Sequence, residues 1–272
     1  MSFSKREMQR LRTQYGPWAL VTGASSGIGK EIGERLAEAG LNLLLTARRQ
    51  AVLDGLANEW RAHYGVEIET ITADMSQATE IEALLQASRK RDIGLVVVAA
   101  GFGTSGAFLQ ADLSEERNML AVNCAALLSV THHFTQRLTP RGRGGIILLS
   151  SMVGFQGVPF AAHYAATKAY VQSLGEALAV ELKPHGVDVL AAAPGPVASG
   201  FAQRANMRMD RTLSPAEVGV PILKALGRQS TVLPGWLTKL LVGSLRTVPR
   251  WAKVRIMKMV MGGMTKHQIK GG

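Results

Sequence analysis

Seven short apolar runs, separated by longer segments of helical periodicity, restrict the folds open to this chain more than any other feature it carries. Two of the runs, Leu43-Leu44-Leu45 and Leu95-Val96-Val97-Val98, are continuous rather than alternating. A continuous run suits a strand covered on both faces, and a parallel sheet with helices on either side provides that cover. The pattern predicts strands near 18–22, 41–46, 67–72, 94–99, 145–150, 187–193 and 230–233, with helices near 27–39, 49–63, 77–90, 114–138, 160–183 and 215–227. The fold class that follows is α/β, a doubly wound and mostly parallel sheet of about seven strands. No proline-rich or Gly/Ser-rich linker divides the 272 residues, so residues 1–235 read as one domain and 236–272 as its C-terminal extension. With 47% hydrophobic and only 6% aromatic residues, the core is built mainly from alanine, leucine and valine.

The first expected strand ends at Thr22, and a helix opens at Gly27 after the turn Gly23-Ala24-Ser25-Ser26-Gly27-Ile28-Gly29. Glycines in a strand-turn-helix setting let the backbone approach a pyrophosphate, while the helix N-terminus supplies N–H donors and a favourable dipole. Gly23, Ser25, Ser26, Gly27, Ile28 and Gly29 are therefore candidate cofactor contacts. The second strand ends in Thr46-Ala47-Arg48-Arg49, with no carboxylate to bond a ribose 2′-hydroxyl. An arginine fork there suits the 2′-phosphate of NADP, so Arg48 and Arg49 point to NADP rather than NAD. Two solvated arginines at a helix start are the alternative, although cations there are electrostatically unfavourable. Asp74, after the third strand, either bonds the adenine amino group or caps the following helix.

Tyr164 and Lys168 stand four residues apart in a predicted helix and so share a face. A cation beside a phenol favours the phenolate and lowers a pKa that is ordinarily about 10. An amphipathic helix with a tyrosine and a lysine has the same spacing.

Taken together, Thr22 to Gly29, Asn123, Ser151, Tyr164-x-x-x-Lys168 and Pro194-Gly195 resemble the short-chain dehydrogenase/reductase family over roughly residues 15–233. The resemblance implies a Rossmann-like fold and hydride transfer between NADP(H) and a carbonyl carbon. It implies Tyr164 as general acid in reduction and Lys168 as a ribose ligand that lowers the tyrosine pKa. Ser151 would bond the substrate oxygen, and Asn123 would hold a water in a proton relay. Ala100, Gly101, Pro194, Gly195, Val197 and Ser199 would line the cofactor, and no metal is expected. The chain departs from the family at Val98-Ala99-Ala100-Gly101, where two side-chain amides common in the family are absent. That loss puts the tethering of the central strands in question. Ser150 adjoins Ser151, but strand neighbours face opposite ways and the spacing to Tyr164 favours Ser151.

The stretch after Pro194 carries Phe201, Met207 and Met209 with Arg204, Arg208 and Arg211. It reads either as a wall for an apolar substrate bearing an anionic group or as an ordinary packed loop. After Glu217 there is no acidic residue, while ten lysines and arginines from Lys224 to Lys270 carry nearly all of the net charge of +11. Two apolar stripes flank Pro249, and neither approaches a membrane span. The tail is read as a cap on the cleft or a subunit interface, as a peripheral membrane contact, or as a nucleic-acid contact; no reader motif supports the last. The lone Cys124 is expected to be buried and inert. The amino end, without a signal-type apolar core, leaves a cytoplasmic location as the default. The function expected is an NADP(H)-dependent carbonyl reductase acting on an apolar or acyl-type substrate, a homodimer or possible tetramer by resemblance. The rival is a catalytically silent, nucleotide-bound sensor or scaffold that uses the basic tail to reach a membrane or protein partner.

Overall fold

The computed structural model describes residues 3–209 and 212–269, without the side chains of Arg246 and Ile269; Arg211 and Lys270 lie outside the described residues. In chain order the elements are α1 (Lys5–Tyr15), β1 (Trp18–Thr22), α2 (Gly27–Glu38), β2 (Asn42–Ala47), α3 (Gln50–Tyr64), β3 (Ile68–Thr72), α4 (Ala78–Ser88), β4 (Ile93–Val98) and α5 (Leu113–Leu120). There follow α6 (Leu127–Arg141), β5 (Gly144–Leu149), α7 (Ala162–Glu181), β6 (Val187–Ala192), α8 (Phe201–Arg204), α9 (Pro215–Ala225), β7 (Thr231–Val232), α10 (Trp236–Arg246) and α11 (Arg250–Ile269).

The seven strands form one sheet in the order β3-β2-β1-β4-β5-β6-β7, and every pairing is parallel. Strand residues alternate between two cores. Val21, Leu45, Val97 and Ile147 face the side covered by α2, α3 and α9, and Leu20, Leu44, Val96 and Ile146 face the side covered by α6 and α7. Burial on both faces is the physical reason for the continuous apolar runs. The order reverses between β1 and β4, and beyond the carboxyl ends of the strands at such a point is where ligands of open α/β sheets bind.

Three features depart from the periodicity. The cationic amino end forms α1, capped by the Ser4 hydroxyl on the Glu7 amide, with Leu11 and Tyr15 fully buried. Arg10 donates 2.8 Å bonds to the carbonyls of Leu223 and Leu226, and the Tyr15 hydroxyl donates to Asp188 at 2.8 Å. The helix expected over 114–138 is α5 and α6 joined by a π-helical turn at Ala121–Ala126. The two stripes of the tail are α10 and α11. No helix among the described residues is long and apolar enough to cross a membrane.

Candidate active site

The glycine turn leaves β1 at Thr22 and enters α2 at Gly27, and its concave side is made of backbone. Gly23 (φ +66°) passes so close to the β4 loop that a Cβ would fall 2.9 Å from the Ala100 backbone, and one on Gly29 would fall 2.5 Å from the Gly23 carbonyl oxygen. At Gly27 (φ +58°) a Cβ would lie 3.1 Å from Cβ of Ser199, so the Pro194-Gly195 loop faces the turn across a narrow gap. Ser26 occupies the N-cap of α2 without a side-chain cap, which leaves the opening amides of the helix for an anion. This cradle of glycine backbone and uncapped amides fits a pyrophosphate.

Arg48 is exposed, and among the described residues its guanidinium bonds to nothing. Arg49 is placed differently, donating to the Ser25 carbonyl at 3.1 Å and hydroxyl at 3.0 Å and so bracing the turn against the start of α3. Asp74 accepts from the Ser76 amide at 2.9 Å, while its own amide donates to Glu80 at 2.7 Å. Its carboxylate thus shapes the turn after β3 rather than the helix N-cap, which is Gln77.

The loop after β4 is tied to β1. The buried Thr22 hydroxyl accepts from the amides of Ala99 and Ala100, both at 3.1 Å, and ties β1 to the end of β4. Asn123 accepts from the Phe102 amide at 3.1 Å and donates to the Phe102 carbonyl at 2.8 Å and the Thr167 hydroxyl at 3.1 Å. The π-turn aims Asn123 at this loop, a placement typical of functional sites. Changing Thr22 to Val would orphan two backbone donors and is expected to cost about 2–4 kcal/mol. Thermal unfolding should show this as a Tm lowered by roughly 5–10 °C.

Asn123, Ser151, Tyr164 and Lys168 converge beyond β4 and β5. A Cβ on Gly101 would sit 3.0 Å from Oδ1 of Asn123 and 3.4 Å from Nζ of Lys168. Lys168 donates to the Leu149 carbonyl at 2.7 Å, and Nζ lies 5.8 Å from the centre of the Tyr164 ring. Ser150 turns away, donating to the Lys168 carbonyl at 3.0 Å; Ser151 caps the short turn at Met152–Phe155 and lies beside Tyr164. Tyr164 itself is 8% exposed. Its ring lies 5.1 Å from that of Phe201, and Gly103 passes so near that a Cβ would be 3.0 Å from Cδ2 of the tyrosine.

The electrostatics reverse one expectation. Burial pushes the Tyr164 phenol well above its usual value, and the Ser151 hydroxyl opposes this only in part. Burial also pushes Lys168 down to about 8. The protein surroundings alone therefore hold the phenol in its protonated form. Cys124 is buried, and desolvation raises its thiol pKa.

Spacing along the chain did not reveal what encloses the tyrosine. Met119, Ala161, Met207, Met257 and Met261 pack in one cluster with Tyr164, edged by Phe102, Phe160 and Phe201. Two of these methionines belong to α11, so the basic tail caps the site. The i, i+4, i+7 spacing of Met257, Met261 and Met264 is the one trace of this in the sequence. The loop before α9 is closed by a bridge between Val197 and Leu213; Met207 is buried within it, while Arg204 pairs with Glu115 at 2.9 Å.

The family model for short chain dehydrogenases matches residues 17–210. A 7beta-hydroxysteroid dehydrogenase of Collinsella aerofaciens is 31% identical over 242 residues, covering 84% of this chain and 90% of that protein. A very-long-chain 3-oxoacyl-CoA reductase of Podospora anserina is 37% identical over 179 residues, 64% of this chain but only 53% of its own length. Among solved structures, a 7beta-hydroxysteroid dehydrogenase superposes with a TM-score of 0.84 at 29% identity, covering 91% of this chain and 98% of its own. A short-chain dehydrogenase from Sphingobium yanoikuyae in complex with NADPH superposes at 0.78 with 29% identity, covering 86% and 97%.

Proposed function

The chain belongs to the short-chain dehydrogenase family, and on that premise we propose that it reduces an apolar ketone, with Tyr164 as the proton donor. It is an NADP(H)-dependent oxidoreductase that interconverts a carbonyl and an alcohol. The sensor reading is not favoured, since the relatives are named as enzymes of this chemistry.

The observation that carries the assignment is the Tyr164 phenol buried in a methionine and phenylalanine cluster beside Ser151 and the buried Lys168. The bound nicotinamide supplies the hydride for the substrate carbon. Tyr164 gives its phenolic proton to the substrate oxygen, and Ser151 donates a hydrogen bond to the same oxygen, fixing its direction. Lys168 steadies the phenolate that Tyr164 becomes, and Asn123 holds the loop from Gly101 to Phe102 against which the site is built. The glycine turn with Ser25, Ser26 and Ile28 takes the pyrophosphate, Arg48 the 2′-phosphate, and Ala100, Gly101, Pro194, Gly195, Val197 and Ser199 the nicotinamide side. Arg49 acts by keeping the turn in shape, and Asp74 offers its remaining carboxylate oxygen to the adenine. Residues 1–235 form the catalytic domain, and 236–272 are the extension that caps it.

Apolar walls favour a polycyclic or long-chain ketone over a sugar, in line with the relatives' named substrates. Following NADPH oxidation across steroid ketones, 3-oxoacyl thioesters, aliphatic ketones and sugars tests this; activity confined to sugars would sink it. With the preferred ketone, kcat/KM should be level below pH 8 and decline above it. Tyr164 keeps its proton through this range, while Lys168 loses its charge as pH rises past about 8. The same lysine gives the opposite trend in stability. Its folded pKa lies below the ordinary lysine value of 10.5, so the unfolded chain binds the extra proton and stability rises between about 8 and 10.5.

Two partners are also proposed. The face of α5, α6 and α7 exposes Leu120, Leu128 and Tyr170 around an apolar cavity of about 340 Å³, which supports a homodimer across these helices. The cationic tail supports a peripheral membrane contact.

A further inference from the structure

The helices α10 and α11 present two chemically distinct faces. On the inner side, Met257 and Met261 are buried in the cluster that encloses Tyr164, with Met264 at its edge. Thr238 of α10 closes over the Pro194-Gly195 loop, so near that a Cβ on Gly195 would lie 2.6 Å from its hydroxyl. On the outer side, Trp236 is 75% exposed, Leu240 58%, Trp251 65% and Met259 73%. Between them stand Lys239, Arg250, Arg255, Lys258 and Lys266, all exposed, with the Arg255 guanidinium 5.2 Å above the Trp251 ring. No acidic residue follows Glu217.

Large exposed tryptophan and aliphatic side chains interleaved with cations match one kind of surface. An anionic bilayer buries the apolar groups at headgroup depth and attracts the charges, whereas a nucleic acid would leave Leu240 and Met259 in water. At its far end α11 meets the site through polar contacts, which water or lipid headgroups can replace: Gln268 on the Ser105 hydroxyl at 2.9 Å and the Asn206 carbonyl, His267 on Asn206 at 3.1 Å, and the Arg208 amide on the Met264 carbonyl at 3.0 Å. Within α11, Gly262 and Gly263 weaken the helix without serving close packing: a Cβ on Gly263 would meet nothing within 4 Å.

We infer that the outer face of α10 and α11 docks on an anionic lipid surface, and that docking shifts α11 from Tyr164 so that an apolar ketone enters from the lipid side. The nature of the entering molecule rests on the reading of the site as a ketone reductase; the docking does not. The test uses the full-length protein with vesicles of phosphatidylcholine alone and of phosphatidylcholine mixed with phosphatidylglycerol. Co-sedimentation should occur with the mixed vesicles and fall about a hundredfold in a K239E/R255E/K258E variant, at about fivefold or more for each reversed charge. Turnover of a water-soluble ketone by the wild type should rise several-fold on adding mixed vesicles, and not in the variant, whose NADPH binding should match the wild type. Absence of binding, equal binding to neutral vesicles, or binding without a rise in turnover would each overturn the inference. So would self-association lost in W236S/W251S without any vesicle binding, which would assign the face to a second copy of the chain. If no ketone is turned over in any condition, the ketone-reductase reading fails, while co-sedimentation still reports on docking.

Discussion

Replacing Tyr164 with phenylalanine is expected to lower kcat for ketone reduction about 10³-fold, within the range a positioned general acid contributes, while the NADPH dissociation constant moves by less than about threefold. The asymmetry follows from where the hydroxyl stands. The ring is fixed by Phe201 at 5.1 Å and by the close pass of Gly103, so phenylalanine fills the same space and the cluster stays packed. What disappears is the one proton that burial keeps on the phenol. Ser151 remains to orient the substrate oxygen, but an aliphatic hydroxyl is a much weaker acid than a phenol. Stopped-flow turnover and cofactor fluorescence titration measure the two quantities separately. Retention of even a tenth of the wild-type kcat would remove Tyr164 from the role of proton donor.

The second large effect is expected at the other end of the cofactor. Changing Arg48 to Glu should raise KM for NADPH roughly 10²-fold, because a guanidinium fork is exchanged for a carboxylate that repels the 2′-phosphate. KM for NADH should fall in the same variant, since a carboxylate at the end of β2 can accept from a ribose 2′-hydroxyl. With NADPH at saturation, kcat should remain within about threefold of wild type, because Arg48 makes no hydrogen bond among the described residues and lies apart from Tyr164. The same change at Arg49 should behave differently. Its bonds to Ser25 brace the turn, so Arg49→Glu is expected to weaken NADPH and NADH alike. Steady-state kinetics with both cofactors distinguish the two arginines, and an unchanged NADPH KM in Arg48→Glu would exclude it from phosphate recognition.

Local geometry explains why much of the site could be read directly. A strand, a glycine turn and a helix are contiguous in the chain, so Thr22 to Gly29 carries its own structural context. Likewise, the opposite faces of consecutive strand-end residues are enough to separate Ser150 from Ser151. Neighbours distant in sequence explain the remainder. The tie between β1 and the loop after β4 comes from the Thr22 hydroxyl, which reaches Ala99 and Ala100 only because β1 and β4 are adjacent in the sheet. Burial raises the pKa of Tyr164, and the cluster that buries it includes Met257 and Met261, nearly a hundred residues away, together with Met119 and Met207. The α1 helix escapes the periodicity because its apolar side is narrow, with Leu11 and Tyr15 as its buried residues.

The π-turn that aims Asn123 has a bearing on how such a chain changes over generations. A π-helical turn holds one residue more than the α-helical ladder around it. Excising a single codon between Ala121 and Ala126 would let α5 and α6 fuse into one regular helix, with both flanking segments free to keep their packing. Asn123 would then rotate by about 100° and release Phe102. Under the role proposed for Asn123, activity should then fall while the fold persists, and an insertion at the same place should restore it.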